Sequence, residues 1–236
     1  LDVTPTQVRG VIFDKDGTLF DFATTWEAWA AAFLLRVTGG DRKQSAVIGR
    51  NIGFDLHTHS FARDSVVIAG TPIEIADALA RHFPDRNRQD LLEMLNEEAA
   101  KAPQAEAVPL ASYLDELRAR GLALGVATND AEASAMAHLD AAGVVAHFDF
   151  IAGSDSGYGG KPAPGQLLEF CASTGLAPTQ VVMVGDSTHD LRAGRAAGMR
   201  TIGVLTGLAT AQELSPLATA VLPDIGHLPN WLDALT

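Results

Sequence analysis

The sequence predicts an α/β protein, a Rossmann-like doubly wound parallel sheet with a helical segment inserted after its first strand. Three observations predict it. Short, continuously apolar runs recur along the chain and end in polar or glycine-rich turns. Amphipathic helical stretches follow most of them. From Phe20 to about Pro103 the strand-like runs stop and helical spacing takes over. Strands that are apolar at every position are buried on both faces, and their alternation with helices makes a parallel sheet.

The elements follow in order. Apolar runs cover residues 8–13, ending at Asp14, and 122–127, ending at Thr128. Others cover 148–151, 181–184 and 201–205, ending at Gly153, Gly185 and Thr206. Helical patterns cover 111–120, 131–142, 164–174 and 189–197. In the inserted segment Trp26, Trp29, Ala30, Phe33 and Leu34 fall at helical spacing. So do Ile73, Ile75, Ala76, Leu79 and Ala80, and again Leu91, Leu92, Met94 and Leu95. The expected division is an α/β core of residues 1–20 and 106–236, with a helical domain of residues 21–105 placed above the strand ends. Hinges are expected near Asp21 and Phe22 and across residues 105–108.

Composition narrows the function. The chain has 236 residues, enough for a core domain with a smaller one attached. Its formal net charge is −12, which repels nucleic acid and anionic membranes. An anionic ligand therefore needs a local cation. The longest apolar run, 28–35, is far short of a membrane span, and residues 1–7 carry no leader-like basic or apolar segment. The one cysteine, Cys171, sits in an apolar helical stretch and reads as a core thiol, which suits a reducing, cytoplasmic location.

Ligands of open parallel sheets bind outside the carboxyl ends of the strands, so the residues there matter most. The first run ends in Asp14-Lys15-Asp16-Gly17-Thr18. Two carboxylates two residues apart on an extended chain point the same way and repel unless a cation or shared proton relieves them. A calcium loop of the EF-hand type is excluded, because Thr25 stands where its bidentate glutamate belongs. The second run ends in Thr128-Asn129-Asp130, and the run at 181–184 ends in Gly185-Asp186-Ser187-Thr188-His189-Asp190. Lys161 lies in Tyr158-Gly159-Gly160-Lys161-Pro162, which is not a Walker A loop, since Pro162 replaces its Ser/Thr. Taken singly, each cluster also reads as a turn, a helix cap or a solvated loop. Taken together, converging carboxylates call for a hard cation such as Mg²⁺, with Lys161 as the local positive charge.

In this order, Asp14-x-Asp16-Gly17-Thr18, Thr128, Lys161-Pro162 and Gly185-Asp186-Ser187-x-x-Asp190 resemble the haloacid dehalogenase superfamily. The insertion resembles its C1-type cap, and the nearest subgroup is the phosphoglycolate-phosphatase-like hydrolases. The resemblance implies a Mg²⁺-dependent phosphatase acting on a small phosphorylated metabolite through an aspartyl-phosphate on Asp14. It makes Asp14 the nucleophile and a metal ligand. Asp16 is the general acid/base, and its carbonyl is a metal ligand. Asp186 is the third metal anchor, and Asp190 orients Lys161 or a metal-bound water. Thr128, the Asn129 amide and Lys161 hold the phosphoryl group. Asp16 argues against dehalogenases and phosphonate hydrolases, which lack an acid there. A phosphotransferase or phosphoglucomutase-like enzyme and a non-catalytic phosphate-binding scaffold are the alternatives; Trp26, in a cap region where the mutases carry a histidine, weakens the mutase reading. Phosphoglycolate is the first-choice substrate, with Arg50 or Arg63 expected to grip its carboxylate. His57, His59 and Lys101 are the other polar cap candidates. Lys15 departs from the family pattern, which has an apolar residue there, and its role is open. The expected partners are a small phosphorylated metabolite only, with the chain a monomer or homodimer.

Overall fold

The computed structural model describes residues 7–235. The leader expectation concerns residues 1–7 and so lies almost wholly outside them. Six parallel strands form the sheet: β1 Gly10–Phe13, β4 Ala123–Ala127, β5 Phe150–Ala152, β6 Val181–Gly185, β7 Arg200–Val204 and β8 Ala220–Leu222. Their spatial order is β5-β4-β1-β6-β7-β8. The chain thus runs outward from β1 through β4 to β5, then returns to β6 on the other side of β1. The carboxyl ends of β1, β4 and β6 meet at this reversal, where open sheets bind ligands.

The alternation of side chains along β1 divides the core. Val11 and Phe13 face one way and pack with Val126, Val184 and the helices α5 Leu110–Ala119 and α10 Leu228–Asp233. Ile12 faces the other way and packs with Met183, Leu167 and Phe170, under the helices α7 Gly165–Thr174 and α8 Thr188–Ala197. The expected α/β architecture is observed. The apolar runs and the strands differ by no more than two residues at either end.

The inserted segment carries α1 Phe22–Val37, α2 Arg42–Gly49, α3 Pro72–Ala80 and α4 Arg88–Ala99. They enclose a hydrophobic cluster of their own, in which Trp26, Trp29 and Phe33 of α1 meet Ile75, Leu79 and Leu95. Local chemistry sets their starts. Asp21 accepts a hydrogen bond from the Thr24 amide at 2.7 Å, and Thr71 and Glu74 form a capping box ahead of Pro72. The connecting strands are paired: the Asp21 amide donates to the Ala105 carbonyl at 2.8 Å, and the Ala107 amide to the Leu19 carbonyl at 2.9 Å.

Some elements carry no sequence signal of the kind sought. Helix α2 starts with Arg42, Lys43 and Gln44, buries only Ser45, Ile48 and Gly49, and depends on Asp41 as its cap. The short pair β2 Phe54–Asp55 and β3 Ser60–Phe61, the helix α9 Ala211–Leu214 and the edge strand β8 are too brief to show a period. Among the described residues no helix is long and apolar enough to cross a membrane. The remaining helix, α6 Glu132–Ala141, lies between β4 and β5.

Candidate active site

The β1 ladder extends to Asp14, whose amide donates to the Val184 carbonyl at 2.8 Å. This places the Asp14 side chain where the chain turns away from the sheet. Lys161 reaches it from the loop before α7: its Nζ lies 2.6 Å from Asp14 Oδ1 and 2.6 Å from Asp190 Oδ1. The other oxygen of Asp190 accepts from the Ser187 amide at 2.9 Å and the Ser187 hydroxyl at 2.7 Å, so this carboxylate is fixed by the capping box of α8. Asp14, Asp186 and Asp190 each offer an oxygen within 4.8 Å of the others, and all three are buried.

Asp186 is admitted by two glycines. A Cβ on Gly17 would stand 2.5 Å from Asp186 Oδ2, and one on Gly207 would stand 1.7 Å from it. Gly17 also has a φ of +78°, a conformation disfavoured for residues with a side chain. The Thr206 hydroxyl ties the loop after β7 to this turn by donating to the Gly17 carbonyl at 2.6 Å.

Burial dominates the electrostatics. It lifts the Asp14 carboxyl to about 7, with Lys161 opposing the rise and Asp190 and Asp16 adding to it. It lifts Asp186 well above the carboxylate range, with Asp190 and Asp14 adding. Burial also opposes the charge of Lys161, but Asp14 and Asp190 outweigh it and the lysine's pKa rises. Three acids against one ammonium make a buried cluster of hard oxygen donors whose acids outnumber its base. Those residues fit a divalent cation.

Asn129 holds the lysine loop in place. Its side-chain oxygen accepts from the Lys161 amide at 2.7 Å, and its side-chain nitrogen donates to the Lys161 carbonyl at 2.9 Å. The same nitrogen donates to the Ala69 carbonyl of the helical segment at 2.7 Å. Thr128 is buried, and its hydroxyl accepts from the Asp130 amide at 3.0 Å.

Lys15 is fully buried. Its Nζ lies 2.7 Å from Asp16 Oδ1 and 2.9 Å from His138 Nδ1, with Asp130 Oδ2 at 3.3 Å. The Asp130 contact is an ion pair and is too poorly directed to count as a hydrogen bond. Two of the ammonium protons are thus hydrogen-bonded, Asp130 adds an opposite charge, and the Trp26 ring centroid lies 5.7 Å away. His138 Nε2 is 2.7 Å from the Ala99 carbonyl at the end of α4, so the proton sits on Nε2 and Nδ1 accepts from Lys15. Burial and the neighbouring Lys15 charge push His138 down to about 4, which keeps it neutral. Asp130 rises to about 6, chiefly by burial, with Lys15 opposing.

The structure therefore brings Asp14, Asp16, Thr128, Asn129, Lys161, Asp186 and Asp190 to one end of the sheet. It adds Lys15, Asp130 and His138, which the motifs alone did not connect. The signal for Lys15 was present: a charged residue directly after a continuous apolar strand, between two acids, needs partners. Nothing local pointed to His138, which lies one residue inside an ordinary helix pattern. Arg50, His57, His59, Arg63 and Lys101 are all exposed. Arg63 stands in an outer cleft with Asp186 and His189, beside Glu213 at 3.9 Å. His57 and His59 belong to no metal-binding cluster among the described residues.

A small inner pocket, with a cavity volume of about 40 Å³, opens above Asp14 and Asp16, between the sheet ends and the helical segment. Thr128, Asn129 and Asp130 complete its floor.

The comparisons agree with this geometry. "Probable phosphatase IndB" of Dickeya dadantii is 32% identical over 216 residues, covering 91% of this chain and 88% of that protein. A protein of Nitrosospira multiformis named phosphoglycolate phosphatase is 30% identical over 222 residues, covering 94% of each. A Bacteroides fragilis structure described as a haloacid dehalogenase-like hydrolase superposes with a TM-score of 0.71 at 22% identity, covering 94% of this chain and all of that one. A β-phosphoglucomutase of Clostridium difficile superposes at 0.68 with 17% identity and 97% coverage of each chain, so the fold by itself does not separate phosphatase from mutase. The model of the family described as haloacid dehalogenase-like hydrolase matches residues 11–204, and the chain belongs to that family.

Proposed function

We propose that the chain is a phosphatase of small phosphate monoesters that works through an aspartyl-phosphate on Asp14 and requires Mg²⁺. One observation carries this reading. Asp14 faces the inner pocket beside Asp16, while Lys161 and two further buried acids, Asp186 and Asp190, surround it.

Asp14, Asp186 and the Asp16 carbonyl would hold the ion. When bound, it supplies positive charge that lets an anionic nucleophile approach an anionic phosphoryl group. The Asp14 carboxylate oxygen forms the new P–O bond as the ester P–O bond breaks. Asp16 gives its proton to the departing alkoxide and then takes one from the water that cleaves the acyl phosphate, releasing inorganic phosphate and restoring Asp14. Lys161, the Thr128 hydroxyl and the Asn129 amide balance charge on the transferring group. Asp190 orients Lys161, since its other oxygen is already bound to Ser187. The segment of residues 21–105 acts as a cap on paired hinges and excludes water from the pocket. The pocket residues contributed by that segment include no histidine, which leaves the mutase reading without support. The lone cysteine is buried and free, which suits the cytoplasm.

The test is release of an aryl alcohol from p-nitrophenyl phosphate. Mg²⁺ should support turnover and EDTA should abolish it. Equal background release in both conditions would refute the phosphatase reading.

A further inference from the structure

The walls of the inner pocket indicate what the phosphate is attached to. Its floor carries Asp14, Asp16 and Asp130. Its walls come from the helical segment and include Trp26, Trp29, Val67, Ile75 and Leu95. Among the described residues, no lysine, arginine or histidine lines it. The two buried lysines of the site are already engaged, Lys15 by Asp16, Asp130 and His138, and Lys161 by Asp14 and Asp190. A carboxylate on the leaving group would enter an apolar, acid-floored space with no cation to meet it, a costly burial. Arg63 does not relieve this, because it is exposed in the outer cleft.

The pocket also has one polar wall. Asn96 of α4 is the only amide or hydroxyl side chain that the helical segment contributes to its lining. Its Oδ1 is buried and has no hydrogen-bond partner. Buried acceptors are nearly always paired, so an unpaired one on a pocket wall marks where a ligand donor belongs. The Trp26 and Trp29 rings, also in the lining, lie edge to face with centroids 5.2 Å apart and add aromatic surface for a ring to pack against.

Resting on the phosphatase reading above, we propose that the substrate is the phosphate monoester of an uncharged, ring-bearing alcohol with one hydrogen-bond donor that meets Asn96. A carboxylated substrate such as phosphoglycolate is disfavoured.

The experiment compares kcat/KM, with Mg²⁺, for benzyl phosphate, 3-hydroxybenzyl phosphate and phosphoglycolate, using p-nitrophenyl phosphate as the reference. Benzyl phosphate should exceed phosphoglycolate by about 10-fold or more, the size of effect a matched apolar pocket gives. The added hydroxyl should give a further gain of several-fold, and Asn96→Ala should erase that gain, bringing the ratio of 3-hydroxybenzyl to benzyl phosphate to about one. Phosphoglycolate equal to or better than benzyl phosphate, with p-nitrophenyl phosphate turned over, would overturn the inference and leave the phosphatase reading standing. A hydroxyl gain that persists in Asn96→Ala would overturn the assignment of Asn96. No turnover of any of the four esters would remove the phosphatase reading and the inference with it.

Discussion

Replacing Lys15 with methionine keeps the length of the side chain and removes one buried charge. In the native fold that charge sits among Asp16, Asp130 and His138, with no solvent exposure. Removing one member of a buried ion pair costs about 3–5 kcal/mol, because the remaining charge is stranded. That corresponds to a hundred- to several-thousand-fold shift of the folding equilibrium. The loss should depend on pH, and its sign follows from Asp130. Burial already raises this carboxyl from 3.8 to about 6, so in the native protein ionising it weakens the fold as pH rises to about 6. Lys15 opposes that rise. Without it the folded pKa climbs further, and the variant keeps losing stability above pH 6 where the wild type is level. If the climb reaches pH 8, two pH units add roughly 2.7 kcal/mol. Urea unfolding followed by tryptophan fluorescence, at pH 5 and pH 8, reads both quantities. Lys15→Met should be destabilised at both values and by about 1–3 kcal/mol more at pH 8; adding Asp130→Asn should remove most of the difference. A loss below ~1 kcal/mol, equal at both pH values, would show that Lys15 does not offset buried carboxylates.

Asp14→Asn should abolish turnover and phosphoenzyme formation without altering the urea midpoint by more than a few tenths of a molar unit; residual turnover above about a thousandth of wild type would refute Asp14 as the nucleophile. Asp16→Asn should still form phosphoenzyme from p-nitrophenyl phosphate but trap it, which acid quench and mass measurement detect as a stable phosphate adduct. Asn129→Ala frees the Lys161 backbone and should lower kcat/KM by roughly 10- to 100-fold through misplacement of the lysine, whereas an unchanged value would make the clamp dispensable. Because burial raises Asp14 to about 7 and Asp186 well above its usual range, their protons must leave when Mg²⁺ binds; calorimetry in two buffers should show proton release at pH 6 and an affinity weaker there than at pH 8 by about tenfold or more. Equal affinity at both values would contradict that coupling.

The sheet and the acid cluster were legible in the sequence for one reason. Each apolar run ended where its chemistry began, at Asp14, Thr128 and Gly185, so reading strand ends amounted to reading the site. The order of strands in space then brought those ends together around β1. What stayed hidden depended on contacts between segments distant in sequence. Lys15 and His138 are separated by 123 residues, and His138 occupies a position that a helix pattern assigns to the core. The family resemblance pointed to the Asn129 amide, whereas its side-chain hold on Lys161 spans 32 residues. The arginines of the helical segment were hard to place from sequence for a related physical reason. A long charged side chain has many places to go, and Arg50 and Arg63 went to solvent. An apolar pocket wall, by contrast, is indistinguishable in sequence from the helical core behind it: Trp26, Trp29 and Leu95 serve as both.

The same contacts explain why a lysine is tolerated between the two acids of the first motif. Among the side chains of the core that reach carbonyls of the helical segment are Asn129, to Ala69, and His138, to Ala99. Each of them also holds an active-site lysine: Asn129 the backbone of Lys161, and His138 the ammonium of Lys15. Trp26, from the first helix of that segment, covers Lys15 from the other side. Lys15 is therefore kept from water jointly by the sheet ends and the helical segment, and its pairing with Asp16 is strengthened by that burial. An apolar residue at this position would leave Asp16 and Asp130 without this partner.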